Sequence, residues 1–113
     1  MKHLLPLFLA TSTAYAASVT LTWDPNPEAD LAGYRIYYGP STRNYTNALS
    51  FPGRGNTNSV TNLTAGTYYF AVTAYSTNNL ESDYSNEVAI TVPGRPPAPT
   101  NLRGEFAKPL LQV

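Results

Sequence analysis

Leu63-Thr64-Ala65-Gly66-Thr67-Tyr68-Tyr69-Phe70-Ala71-Val72-Thr73-Ala74-Tyr75 reads as a chain reversal running into a strand. Ala65-Gly66 supplies the reversal, because glycine reaches backbone angles that side chains forbid. From Tyr68 the residues alternate. Tyr68, Phe70, Val72 and Ala74 fall on one side, and Tyr69, Ala71, Thr73 and Tyr75 on the other. Period-two patterning in aromatic and β-branched residues is the mark of a strand.

The same alternation recurs outward from this stretch. Val19, Leu21 and Trp23 alternate with Ser18, Thr20 and Thr22 until Asp24-Pro25-Asn26-Pro27, where two prolines cannot donate to a ladder. Asn26 before Pro27 suits a helix start, so one helical turn is expected over 27–31. Gly33 opens the next strand, with Tyr34, Ile36 and Tyr38 on one face and Arg35 and Tyr37 on the other. Leu49 and Phe51 mark a short strand ending at Pro52-Gly53, Val60 and Leu63 anchor another, and Val88, Ile90 and Val92 form the last before Pro93-Gly94. Short strands punctuated by turns, with no helix-length amphipathic segment, point to an all-β sandwich or barrel. The expected core is Val19, Leu21, Trp23, Tyr34, Ile36, Leu63, Tyr68, Phe70, Val72, Val88 and Ile90.

The chain has 113 residues, which suits one domain. Lys+Arg and Asp+Glu are 7 each, and charged residues make up 12%, so no basic field draws nucleic acid. Cysteine is absent, and the apolar core must hold the fold without disulfides. Met1-Lys2-His3, the apolar Leu4–Ala10 run and Ala14-Tyr15-Ala16 have the pattern of an export leader cleaved after Ala16. The alternative is that this segment stays and serves as a first strand. The apolar run is far below the roughly 20 residues of a membrane span, so no membrane insertion is expected after cleavage. The domain plan is therefore leader 1–16, sandwich 17–93 and proline-rich tail 94–113. Export places the protein outside the cell, on its surface or in a periplasm. Cleavage also removes His3, the sole histidine. A chain with neither His nor Cys loses most zinc sites, thiol nucleophiles and Ser-His-Asp triads. No enzyme activity, cofactor or metal is expected.

Four segments in order carry a family likeness: Ser18-Val-Thr-Leu-Thr-Trp23, Gly33-Tyr-Arg-Ile-Tyr-Tyr-Gly39, Leu63-Thr-Ala-Gly-Thr-Tyr68 and Tyr84-Ser-Asn-Glu-Val88. Over residues 18–92 the chain resembles a fibronectin type III domain, of the single-module kind found in secreted bacterial or phage proteins. The resemblance implies an immunoglobulin-like antiparallel β-sandwich with Trp23 in the core between the sheets. Tyr68 would be the corner tyrosine, its hydroxyl bonding back to the backbone near Leu63. It also implies a first strand, A, ahead of Ser18. After cleavage that strand is absent, or supplied by another segment. Pro96-Pro-Ala-Pro-Thr-Asn-Leu-Arg103 looks like the opening of a second module.

Two surfaces are candidates for contact. Arg35, Tyr37, Tyr69 and Tyr75 share the outward face, and pairing of Tyr37 opposite Tyr69 would make an aromatic strip. Such a strip suits a protein partner or the sugar rings of a surface polysaccharide, or else is an ordinary cross-strand pair. The tail is the other surface, through Leu102, Phe106, Leu110 and Leu111. It either adds a strand to the next copy, giving head-to-tail self-association, or is a disordered stump. Asp24, Glu28 and Asp30 lack the alternation of a calcium loop and read as caps of a helical turn. The function expected is a secreted, non-catalytic module for protein contact, adhesion or spacing, with a small carbohydrate-binding module as the alternative.

Overall fold

The computed structural model describes residues 16–109, so the leader segment 1–15 and Leu110 and Leu111 lie outside the described residues. Six strands follow in order: β1 (Ala17–Thr22), β2 (Leu31–Gly39), β3 (Asn47–Pro52), β4 (Thr57–Leu63), β5 (Gly66–Ser76) and β6 (Val88–Val92). They build a two-stranded sheet, β1-β4, and a four-stranded sheet, β3-β2-β5-β6. Every pairing is antiparallel. The all-β expectation holds.

Val19, Ile36, Val60, Leu63, Phe70 and Val92 form the buried cluster, and Tyr34 is 1% exposed. Leu21, Trp23, Tyr68, Val72 and Ile90 pack against it but stay half-buried. The reason is geometric: two strands cannot cover four. Val88, expected inside, is 38% exposed, because it begins the edge strand β6. Trp23 tilts against Tyr34 with ring centroids 5.0 Å apart. Trp23 thus flanks the core rather than lying sealed within it. The Tyr34 hydroxyl accepts from the Asn26 amide at 2.8 Å, which satisfies its buried polar tip.

The helical turn expected over 27–31 is a hydrogen-bonded reversal, in which the Leu31 amide donates to the Glu28 carbonyl at 3.3 Å. With β2 already beginning at Leu31, Arg54 braces this reversal. Its Nη2 donates to the carbonyls of Asn26 (3.1 Å) and Glu28 (3.0 Å), which a helix would direct along its own axis. Tyr68 does act as the corner, donating to the Thr64 carbonyl at 2.9 Å.

The strand directions define two poles. Leu63 of β4 pairs with Ala17 at the start of β1. Gly66 pairs with Val92 at the end of β6, and Gly94 lies beside Ala65. The chain therefore leaves the sandwich at the pole where β1 begins. Trp23 and the Pro25–Asp30 connection mark the opposite pole.

Candidate binding face

The outward face of β2 and β5 carries the side chains expected there, but in a different register. Tyr37 pairs with Ala71, while Tyr69 stands opposite Gly39. Arg35 faces Thr73 and Tyr75 faces Gly33. The register from Gly33 to Gly39 is continuous and lies two positions from the one expected, so Tyr37 does not meet Tyr69. No continuous strip results from these residues.

Residues 77–87 cover much of this face instead. The Ser76–Leu80 tip is closed by the Ser76 amide on the Leu80 carbonyl (2.9 Å) and the Asn79 amide on the Ser76 carbonyl (2.8 Å). The segment then returns along β5. The Ser82 and Ser85 amides donate to the carbonyls of Ala74 (2.8 Å) and Val72 (2.9 Å). Their hydroxyls accept from the amides of the same two residues, each at 2.9 Å. Serine oxygens thus stand in where an irregular strand cannot present its own carbonyls.

Two carboxylates pin this strap. Glu81 pairs with Arg35 at 3.0 Å, and its Oε2 accepts from Thr73 at 2.7 Å and from the Tyr37 hydroxyl. Burial alone would raise the Glu81 carboxyl, but the hydrogen bonds from Tyr37 and Thr73 and the Arg35 charge outweigh it and hold it below the ordinary value. The Tyr37 hydroxyl is raised in turn, chiefly by its hydrogen bond to Glu81, then by burial and the Glu81 charge. Glu87 accepts from Thr42 Oγ1 (2.6 Å), Tyr45 Oη (2.5 Å) and the Arg43 amide (2.8 Å). Those bonds, Thr42 first, lower its carboxyl. Burial, then the hydrogen bond to Glu87, pushes Tyr45 up to about 12.

Arg35 is fully engaged. Its Nε donates to Ser50 Oγ (3.2 Å), Nη1 to Glu81, Nη2 to Asn79 Oδ1 (3.0 Å), and the guanidinium stands 4.1 Å from the centroid of the Tyr75 ring. The end of the Tyr75 ring rests on Gly33, where an added Cβ would come within 2.5 Å of the hydroxyl oxygen. Tyr37 meets Tyr84 edge-on at 5.0 Å, and Tyr84 meets Tyr45 at 5.1 Å. Tyr84 is 52% exposed. The face thus brings Arg35, Tyr37 and Tyr75 into one network with Tyr45, Thr73, Tyr84, Glu81 and Glu87, which sequence reasoning passed over. The partners of the two acids lie 42–46 positions away, apart from Thr73. Such distances leave no local pattern to read.

Asp24, Glu28 and Asp30 form no three-acid cluster among the described residues. In the tail, Leu102 is 95% and Phe106 84% exposed.

The fold is a two-layer antiparallel sandwich, and its converging acids serve as loop anchors. The family model of the fibronectin type III domain matches residues 6–91. The chain belongs to that family, whose domains are typically non-catalytic binding or spacer modules and generally mediate protein contacts. The match begins inside the segment with the leader pattern and ends within β6. A search of curated proteins gives no match to the chain.

Proposed function

We propose that the protein is exported, loses residues 1–16, and works outside the cytoplasm as a non-catalytic contact or spacer module that assembles through its tail. The supporting observation is how the acids are used. Glu81 and Glu87 fasten a loop to the sheet through Arg35, Tyr37, Tyr45, Thr42 and Thr73. A general acid or base needs a carboxyl aimed at a cleft with a reacting partner, and these two are committed to structure. The partner class is protein, met at edges and ends rather than on the strapped face.

The test is expression from its own start codon in a secreting bacterial host, followed by fractionation and determination of the first residue. Ala17 at the N-terminus, outside the cytoplasm, is expected. A chain beginning at Met1 and held in the cytoplasm contradicts the reading.

A polysaccharide role has one observation in its favour, the exposure of Tyr84 beside Tyr37. Binding on a glycan array that is lost in Tyr84→Ala and Tyr69→Ala would establish it.

A further inference from the structure

Among the described residues β1 pairs with β4 alone, so its other edge has no strand. Beside the end of β1 the two sheets part in a cleft of about 290 Å³, with Leu21, Trp23, Phe70, Val72 and Val88 as its large apolar lining and polar groups such as Asp24 and Asn86 lining it as well. The Trp23 indole N–H is buried without an acceptor among the described residues, although buried donors are nearly always paired. The sandwich has the wall and the backbone edge for one more strand.

The tail has the complementary character. Every residue of 93–109 is exposed. Residues 93–99 are proline-rich and make a stiff, extended spacer. Asn101, at φ 57, bends the chain. Leu102 and Phe106 follow with even spacing, so in a strand they share one face, about 13 Å apart. These are two large apolar groups with nothing to bury them.

Polarity decides whose tail fits. β6 runs parallel to β2, since both are antiparallel to β5, and the tail departs at the pole where β1 starts. Folding back on its own domain, it would run parallel to β1. An antiparallel strand must enter from the Trp23 pole, which the tail of another molecule reaches directly, whereas a molecule's own tail would first have to spend residues 93–100 running the length of the domain.

We infer that residues 100–108 of one copy add to the free edge of β1 in the next, with Leu102 and Phe106 entering between its sheets. The register that centres this pair sets Leu102 opposite Trp23, Gly104 opposite Leu21 and Phe106 opposite Val19, with Lys108 beside Ala17. The contact is heterologous, so it propagates into chains instead of closing as a dimer. It rests on the proposed loss of residues 1–16. Residues 6–15, within the family match, have the shorter route to that edge if they are kept.

After that cleavage the chain has two amines, the Ala17 α-amine and Lys108. A short bifunctional amine reagent applied to the exported protein, with sedimentation over a range of concentrations, therefore tests the pairing directly. The expected result is concentration-dependent growth and a ladder of multiples joined between Lys108 of one chain and Ala17 of another. The Leu102→Asp/Phe106→Asp protein should need roughly tenfold or more concentration to associate, and should lose the ladder. Its unchanged circular dichroism would show that the fold is intact. A wild-type protein that stays monomeric with Ala17 as its first residue overturns the inference and leaves the contact-module reading standing. A monomer that keeps residues 1–16 overturns it as well. Association undiminished in the double variant also overturns it.

Discussion

At the scale of single residues, side chains here are judged by what their polar tips meet. Tyr68 lends its ring to the core and donates to the Thr64 carbonyl at 2.9 Å. Tyr68→Phe should cost about 1 kcal/mol, the worth of one such bond, measured as the shift in urea unfolding free energy. An unchanged value would remove the corner assignment. Gly39 is constrained by space. A Cβ there would sit 2.1 Å from the Asn44 carbonyl oxygen, a backbone atom that cannot swing away. Gly39→Ala should therefore destabilise by about 1–3 kcal/mol, as overpacking does. The corner tyrosine was legible because its partner lies four positions away. The steric demand at Gly39 was not, because it comes from the path of the loop at 41–46.

At the scale of elements, the strap over β2 and β5 links the loops to the sheet and gives the protein its pH response. The Glu81 and Glu87 carboxyls are held below their ordinary value of 4.5. Their contribution is complete above that value and fades as pH falls through their lowered folded values. As pH falls below 4.5 through those lowered values, the segment 77–87 should loosen before the sandwich unfolds. Faster exchange of the Val72 and Ala74 amides, which donate to Ser85 and Ser82, would register it. Uniform exchange down to global unfolding would refute it. At the alkaline end the sign reverses. Tyr45 is raised to about 12 from 10.0, so its bond to Glu87 contributes fully below pH 10 and is lost only as pH climbs through its folded value. Glu81→Gln should cost about 1 kcal/mol, a charged hydrogen-bond network discounted for its exposure, and should loosen the same segment at neutral pH. The strands themselves were readable, since alternation such as Val19/Leu21 or Tyr34/Ile36 encodes a buried face directly. Their register was not, because it is set by pairing between distant strands, and Tyr37 meets Ala71 rather than Tyr69. Ala71 and Thr73 are buried on the outer face at 1% and 3% exposure. Alternation along β5 gives no sign of that, since it does not tell where residues 77–87 turn once the chain leaves β5 at Ser76.

At the scale of the whole molecule, a four-stranded sheet faces a two-stranded one, and that imbalance shapes both stability and function. It leaves Trp23 half-buried, and among the described residues it leaves β1 with an unpaired edge of the sort that proteins usually cover. The sequence contained two hints, a segment like a module's opening in 96–103 and, with residues 1–16 removed as proposed, no first strand ahead of Ser18. What it lacked was the direction of exit, which follows from the pole shared by Ala17, Leu63 and Val92. Amide exchange along Ala17–Thr22, followed by mass spectrometry while the exported protein is diluted, tests this account most directly. The account predicts that β1 amides are protected at high concentration and lose protection on dilution or in Leu102→Asp/Phe106→Asp, while β5 stays protected throughout. Exchange in β1 that is identical at every concentration and in both proteins would contradict it.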